Sequence, residues 1–259
     1  MESVAVCGKR FSKVVCGTNA FYGRSHFSDA RDREYSSRCG DDYIREVIRK
    51  CLAFGVNAVE SSASERIQKI IAELRDQSDT PVHFIGSTRV DDTSEMKTHQ
   101  AKFRYLIERD ADICVLHSQF VDRPRRSEEI RGLRESVQKI HDAGLIAGIS
   151  THQVSTVELC EAQQYGVDVY LFPLNLTGFV YPGYEGRDTV AERVRTVLST
   201  PKPFLLMKVL GAGRIPPDEG LQFALENSKP SDAITLGLSS VAEAEESLQF
   251  VTDYLSQNS

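Results

Sequence analysis

Three residues in this 259-residue sequence stand where acid–base chemistry would need them. His117 ends the apolar run Ile113-Cys114-Val115-Leu116 and is followed by Ser118 and Gln119. An imidazole in such a place can move a proton near neutral pH. Glu60 follows Ala58-Val59 inside a strand-like register, where an unpaired carboxylate is costly unless a cation or a ligand answers it. Lys208 interrupts Leu205-Leu206-Met207-Lys208-Val209-Leu210, so it cannot be solvated on both sides, and burial eases loss of its proton. Arg89, after Ser87-Thr88, is a fourth charge, fixed as a cation and unable to shuttle a proton. Together the four can polarise or deprotonate a small carbonyl or hydroxyl compound. Each also has a plain structural alternative: Glu60 can pair with Lys208 or Arg89, and His117 can cap a loop by bonding a backbone carbonyl.

A second set could bind what the first acts on. Asn19 ends an early strand, and Tyr22 and His26 lie in the long, charged, aromatic-dotted segment 20–41. Loops of that length inside a compact domain are usually functional or mobile. His152 follows Ser150-Thr151, which could equally cap the next helix, and Asn175 ends Leu171-Phe172-Pro173-Leu174. Gly237, Ser239 and Ser240 follow the last strand. Residues 178–187, rich in Gly, Pro and Tyr, could cover a ligand or be an ordinary surface loop. His83 reads as strand-interior, and His99 and His141 as helix-surface residues.

These positions make sense only on a particular scaffold. Val4–Ser12 reads as a short hairpin with Gly8-Lys9 near its turn. Strand-like runs then follow at 13–19, 56–62, 82–88, 112–119, 146–152, 169–175, 204–210 and 233–237. Helical periodicity fills the gaps at 41–54, 64–76, 93–109, 126–142, 154–165, 189–198, 218–226 and 241–256. Near-continuous apolar strands alternating with amphipathic helices imply a parallel sheet covered on its faces. Eight such units in 259 residues point to one α/β domain, 1–259, folded as a (β/α)8 TIM barrel with an N-terminal β-hairpin. No GxGxxG follows the first strand, which disfavours a doubly wound sheet. On a barrel the strand ends face one rim, and seven consecutive strands finish in or near a hydrogen-bonding or ionisable residue.

Composition narrows the partners. A formal charge of −6 argues against nucleic acid, because phosphate binding needs a basic surface. No apolar run approaches the ~20 residues that span a bilayer, and the first residues lack the charged and apolar regions of a signal peptide. The six cysteines are scattered without a CxxC pair, as expected of a reduced, cytoplasmic protein without structural zinc.

The order of features resembles the aldo-keto reductase superfamily over nearly the whole chain. The hairpin followed by Lys13-Val14-Val15-Cys16-Gly17-Thr18 is similar to that family's capping hairpin and first strand. Gly55-Val56-Asn57-Ala58-Val59-Glu60-Ser61-Ser62 resembles its G-I-N-x-x-D-T-A, and Gly148-Ile149-Ser150-Thr151 its G-V-S-N. Leu210-Gly211-Ala212-Gly213-Arg214 and Gly237-Leu238-Ser239-Ser240, continuing to Glu245-Glu246-Ser247, resemble its cofactor-binding segments. The resemblance implies hydride transfer between NADP(H) and a carbonyl, with Arg214, Gly237, Ser239 and Ser240 at the cofactor. It places Glu60 at the family's Asp, Arg89 nearest its Lys, His117 at its His, and Met207 where an aromatic stacks on nicotinamide. Glu65 stands where the tyrosine acid belongs, leaving Tyr22 or His26 as substitute donors. Two other readings remain open: a metal-dependent isomerase, lyase or hydrolase using His117, His152, Glu60 and His26, and a barrel that binds a ligand without catalysis.

Overall fold

The computed structural model describes residues 1–91, 94–109, 111–122, 129–184, 186 and 188–258. Strands β1 (Ser3–Val6) and β2 (Lys9–Ser12) form the hairpin, with Val6 opposite Lys9. Its turn falls on Cys7-Gly8, one residue before Gly8-Lys9, with φ of +46° and +80°. Two left-handed residues match the twist of a tight hairpin, and glycine adopts that conformation freely.

Eight parallel strands follow: β3 (Val14–Gly17), β4 (Ala58–Ser62), β5 (His83–Ser87), β6 (Ile113–Leu116), β7 (Ile146–Ser150), β8 (Val169–Pro173), β9 (Phe204–Met207) and β10 (Ala233–Gly237). They pair in chain order, and β10 closes on β3 to complete a (β/α)8 barrel. Around it lie α1 (Asp29–Ser37), α2 (Asp41–Ala53), α3 (Glu65–Arg75), α4 (His99–Glu108), α5 (Ser118–Val121), α6 (Leu133–Asp142), α7 (Val154–Ala162), α8 (Val190–Ser199), α9 (Pro217–Glu226) and α10 (Val241–Asn258). Helix α2 shows why they pack: Ile44, Val47, Ile48 and Cys51 fall at helical spacing and are all buried.

The barrel has two apolar compartments. Outward strand residues meet the helices, while Val15, Ala58, Ile85, Val115 and Leu205 fill the interior. The hairpin's Val4, Val6 and Phe11 join that inner cluster and plug the amino-terminal end. Asp112, just before β6, pins the plug: it accepts from Lys9 Nζ at 2.7 Å and from the Phe84 N–H at 2.9 Å, with His83 Nδ1 at 3.0 Å. A bottom closed in this way leaves the carboxyl ends of the strands as the face where a site can open.

Several elements differ from expectation. Segment 20–41 is not a plain loop. It holds a 3-10 turn at Asn19–Tyr22 and then α1, which buries no residue and so carries no apolar periodicity. Ser28 caps α1 by accepting the Arg31 N–H. The run 112–119 is a strand only to Leu116, with α5 starting immediately after His117. The run 204–210 likewise leaves the strand at Met207. The helix expected at 93–109 begins at His99, capped by Thr98, and residue 93 lies outside the described residues. That expected at 126–142 is α6 from Leu133, with 126–128 outside them. Among the described residues no helix is long and apolar enough to cross a membrane.

Candidate functional site

A cavity of about 530 Å3 opens at the carboxyl rim, a size usual for small-molecule sites. It is off-centre, walled by β3, β9 and β10 and covered by residues 24–35 and the 208–217 loop. Of the residues singled out from sequence, Asn19, His26, Glu60, Lys208, Arg214 and Gly237 line it. Tyr22, Arg89, His117, His152, Asn175, Ser239 and Ser240 do not.

Lys208 follows β9 with φ of +60°, a left-handed backbone that costs a side-chain-bearing residue on the order of 1 kcal/mol. Asn175 holds it there. Its Nδ2 donates to the Lys208 carbonyl at 3.0 Å and to that of Phe179 at 2.7 Å. Its Oδ1 accepts the N–H of Thr177 at 3.2 Å and that of Phe179 at 3.0 Å. With both amide hydrogens and the oxygen engaged, Asn175 is scaffold for Lys208 rather than a substrate ligand.

Glu60, Lys208 and His26 share this cavity, and none of their side chains has a hydrogen bond or ion pair among the described residues. Burial pushes the Glu60 carboxyl up to about 7, with Arg89 and Lys208 pulling the other way. Burial and then Arg89 bring Lys208 down to about 8, opposed by Glu60. His26, at φ of +57°, falls to about 4 through burial and the Lys208 and Arg89 charges. At neutral pH the cavity therefore holds a carboxyl near its midpoint, a mostly charged lysine and a neutral imidazole. Arg89 stands behind them. Its Nη1 donates to Asn19 Oδ1 at 3.0 Å and its Nε lies 3.4 Å from Asp91. It tunes the charges without lining the cavity.

His117, expected as a reacting group, sits outside this lining. Its Nδ1 accepts the Gln119 N–H at 3.3 Å, capping α5. The capping role expected of it thus occurs with the opposite polarity, toward an N–H rather than a carbonyl. Burial, followed by Arg89, His152 and Lys208, holds it well below the usual histidine range. With Nδ1 accepting, the neutral ring carries its proton on Nε2. His152 is part of a structural knot. Its N–H donates to Asp122 at 2.8 Å and its carbonyl accepts from Tyr184 and Arg193, each at 2.9 Å. Its ring meets Tyr181 edge-on at 5.3 Å. Tyr22 points its hydroxyl at Ser61 Oγ, 3.0 Å away, and borders a separate recess with Ser62, Asp91 and Lys102. Of the two proposed substitute donors, only His26 reaches the cavity. Glu65 is exposed on the first turn of α3.

Ser239 and Ser240 are also scaffold, at the start of α10. Ser240 Oγ accepts the Glu243 N–H at 3.1 Å, and the Ser239 N–H donates to Glu243 Oε2 at 2.7 Å. This reciprocal capping places the Glu243 carboxylate at the helix terminus, beside the cavity that Glu246 also lines. Arg214 bridges three loops. It donates to the carbonyls of His26 and Gly211, both at 3.1 Å, while its guanidinium lies 4.1 Å from the Phe179 ring and 5.0 Å from that of Phe27. Phe27, Arg31, Tyr35 and Glu243 escaped the sequence reading, whereas Glu246 belongs to the stretch that resembles a cofactor-binding segment. The first three sit on a segment without apolar periodicity, and Glu243 reads as ordinary helix surface.

Among the described residues, no group of three or more His, Cys, Asp or Glu is placed to hold a metal ion. His117, His152 and Glu60 therefore do not make the metal set considered from sequence.

The fold is a (β/α)8 barrel with an N-terminal hairpin, an architecture similar to that of aldo-keto reductases among other barrel enzymes. The glycerol dehydrogenase of Gluconobacter oxydans is similar to it with a TM-score of 0.64, at 12% identity over 98% of this chain and 95% of that one. The holo form of an aldo-keto reductase from Bacillus halodurans has the same TM-score and identity, over 97% and 91%. The N-acetylmannosamine-6-phosphate 2-epimerase of Clostridium perfringens is similar at a TM-score of 0.53 and 18% identity, over 93% and 92%. At such identities the likeness is one of fold. No family model and no curated protein matches the chain.

Proposed function

We propose that the protein is a divergent aldo-keto-reductase-like enzyme that acts on a small carbonyl or hydroxyl compound without the family's tyrosine acid. The observation that carries this reading is the meeting of Glu60, Lys208 and His26 in one rim cavity, with the Arg89 charge acting on them from outside its lining. A carboxyl near 7 exchanges a proton at neutral pH. Lys208 supplies positive charge where a carbonyl oxygen becomes negative. The neutral His26 ring can donate a hydrogen bond to the same oxygen. Apolar Leu171, Met207 and Leu236 line the wall beside them and keep bulk water away, which strengthens each electrostatic effect.

The residues present fit a nicotinamide dinucleotide in part. A Cβ at Gly213 or Gly237 would meet nothing within 4 Å, so backbone there is open to a close ligand. The 211–214 loop, Gly237 and the Met207 face would hold the cofactor, which when bound would supply hydride. The α10 terminus is different, because its amide is already taken by Glu243. A carboxylate there opposes a 2′-phosphate and suits a ribose hydroxyl, so the NADP implied by the sequence resemblance is disfavoured against NAD.

Titrating the protein with NADH and NADPH while following nicotinamide fluorescence tests this reading. Saturable binding, with turnover of a short-chain aldehyde or ketone lost in Glu60→Gln, is the expected result. No binding of either at millimolar concentration sinks the redox reading. Binding of small carbonyl compounds without any turnover would favour the non-catalytic barrel.

A further inference from the structure

We propose that Lys208 forms a covalent imine with an aldehyde or ketone in this cavity, giving the barrel a carbonyl chemistry that needs no hydride donor. The inference shares the site of the proposed function but not its cofactor.

Three features point to the ε-amine as nucleophile. Lys208 is the one lysine among the described residues lining the cavity, and its Nζ has no hydrogen-bond or ion-pair partner among them. A lysine kept only for structure would be expected to have an answering carboxylate in contact. Its left-handed backbone is held by Asn175, which uses one of its two amide hydrogens for that purpose. Strain maintained by a buried, fully bonded side chain is a mark of functional positions. Finally, a titratable carboxyl, Glu60, shares the cavity from β4. The depressed proton affinity of Lys208 agrees: at pH 7 its free-amine fraction is roughly 300-fold that of a lysine at 10.5.

The step balances within the protein. The neutral Nζ attacks the carbonyl carbon, and the C=O π pair moves to oxygen, which takes up the proton released from nitrogen. In the resulting carbinolamine the nitrogen lone pair forms C=N as the C–O bond breaks. The hydroxyl leaves as water with a proton from the Glu60 carboxylic acid. The products are an iminium on Lys208, water and a Glu60 carboxylate, which can then take an α-proton to give the enamine. Nothing is oxidised or reduced.

Reductive trapping tests this. The wild-type protein is incubated at pH 7 with glyceraldehyde, dihydroxyacetone, pyruvate or glyoxylate in the presence of cyanoborohydride, then analysed by intact mass and peptide mapping. The expected result is a single adduct on Lys208 with at least one probe, forming roughly 100-fold faster than on exposed lysines. Lys208→Arg, which keeps the charge, should abolish it, and Glu60→Gln should slow it at least tenfold while leaving the label on Lys208. Labelling spread over exposed lysines with Lys208 unmodified, or no adduct with any probe, overturns the proposal. Peptide mapping of the wild type decides the matter even if a variant fails to fold. Dinucleotide binding measured on the same preparation separates the two readings. Binding without the adduct defeats only the imine, and the adduct without binding defeats only the redox chemistry.

Discussion

Replacing Glu60 by Gln keeps the side chain's shape and removes its titration, so it tests the electrostatics of the cavity directly. In the folded protein Glu60 holds its proton up to about 7, against an ordinary 4.5. Between those values the folded chain binds a proton that the unfolded chain has released. Stability contributed by this group therefore falls as pH rises through the window. From pH 5 to 7.5 the loss amounts to about 2 kcal/mol at ~1.4 kcal/mol per unit. His26 acts with the opposite sign: its folded value, about 4, lies below the ordinary 6.5, so stability rises with pH between them. Wild-type stability alone would mix the two effects, and the difference between variant and wild type isolates Glu60. Urea unfolding at pH 5 and pH 7.5 should show Glu60→Gln gaining about 2 kcal/mol relative to wild type across that interval. An unchanged difference, or one that moves the other way, would refute the claim that Glu60 is a desolvated carboxyl near its midpoint.

Asp112→Asn should cost about 1–2 kcal/mol, because it weakens the contact with the buried His83 ring and a solvent-screened pair with Lys9, whose side chain is 42% exposed. Burial works to raise the Asp112 carboxyl, but His83, Lys9 and the Phe84 amide together hold it far below the usual range. The stabilisation is then present above pH ~4 and lost as pH falls through the folded value, so the gap between variant and wild type should close in strong acid. Glu243→Gln should shift dinucleotide preference toward NADPH by roughly tenfold in Kd, since it removes a carboxylate from the α10 terminus. Equal effects on both cofactors would place the 2′ position elsewhere. Arg214→Ala removes two hydrogen bonds and two ring contacts. It should raise backbone hydrogen exchange over residues 20–28 and weaken ligand binding by about 1 kcal/mol. Unchanged exchange there would mean that Arg214 does not tie the cover down.

Much of the architecture was legible because it depends on local periodicity. Alternating apolar strands and amphipathic helices such as α2 can bury their faces in few ways, and eight repeats leave a closed parallel barrel as the economical solution. The same logic placed Glu60 and Lys208 at a rim, since a charge ending an apolar strand must emerge where the barrel is open. Helix α1 was illegible for the converse reason: a helix that buries nothing leaves no pattern in the sequence.

What sequence could not decide was which rim residues face one another. His117, Asn175 and His152 end strands as Glu60 and Lys208 do, yet His117 Nδ1 accepts from the Gln119 amide, Asn175 is used within the 175–179 turn and on Lys208, and Asp122 accepts the His152 backbone N–H with the ring Nδ1 3.5 Å away. Whether a polar side chain is scaffold or site depends on the partners that the rest of the chain brings within about 3 Å. Those partners come from loops whose paths carry no period. Periodicity and strand ends were enough for the barrel and its rim. That the opening lies off-centre over β3, β9 and β10, with Glu60, Lys208 and His26 in its lining, follows from the packing of loops in three dimensions.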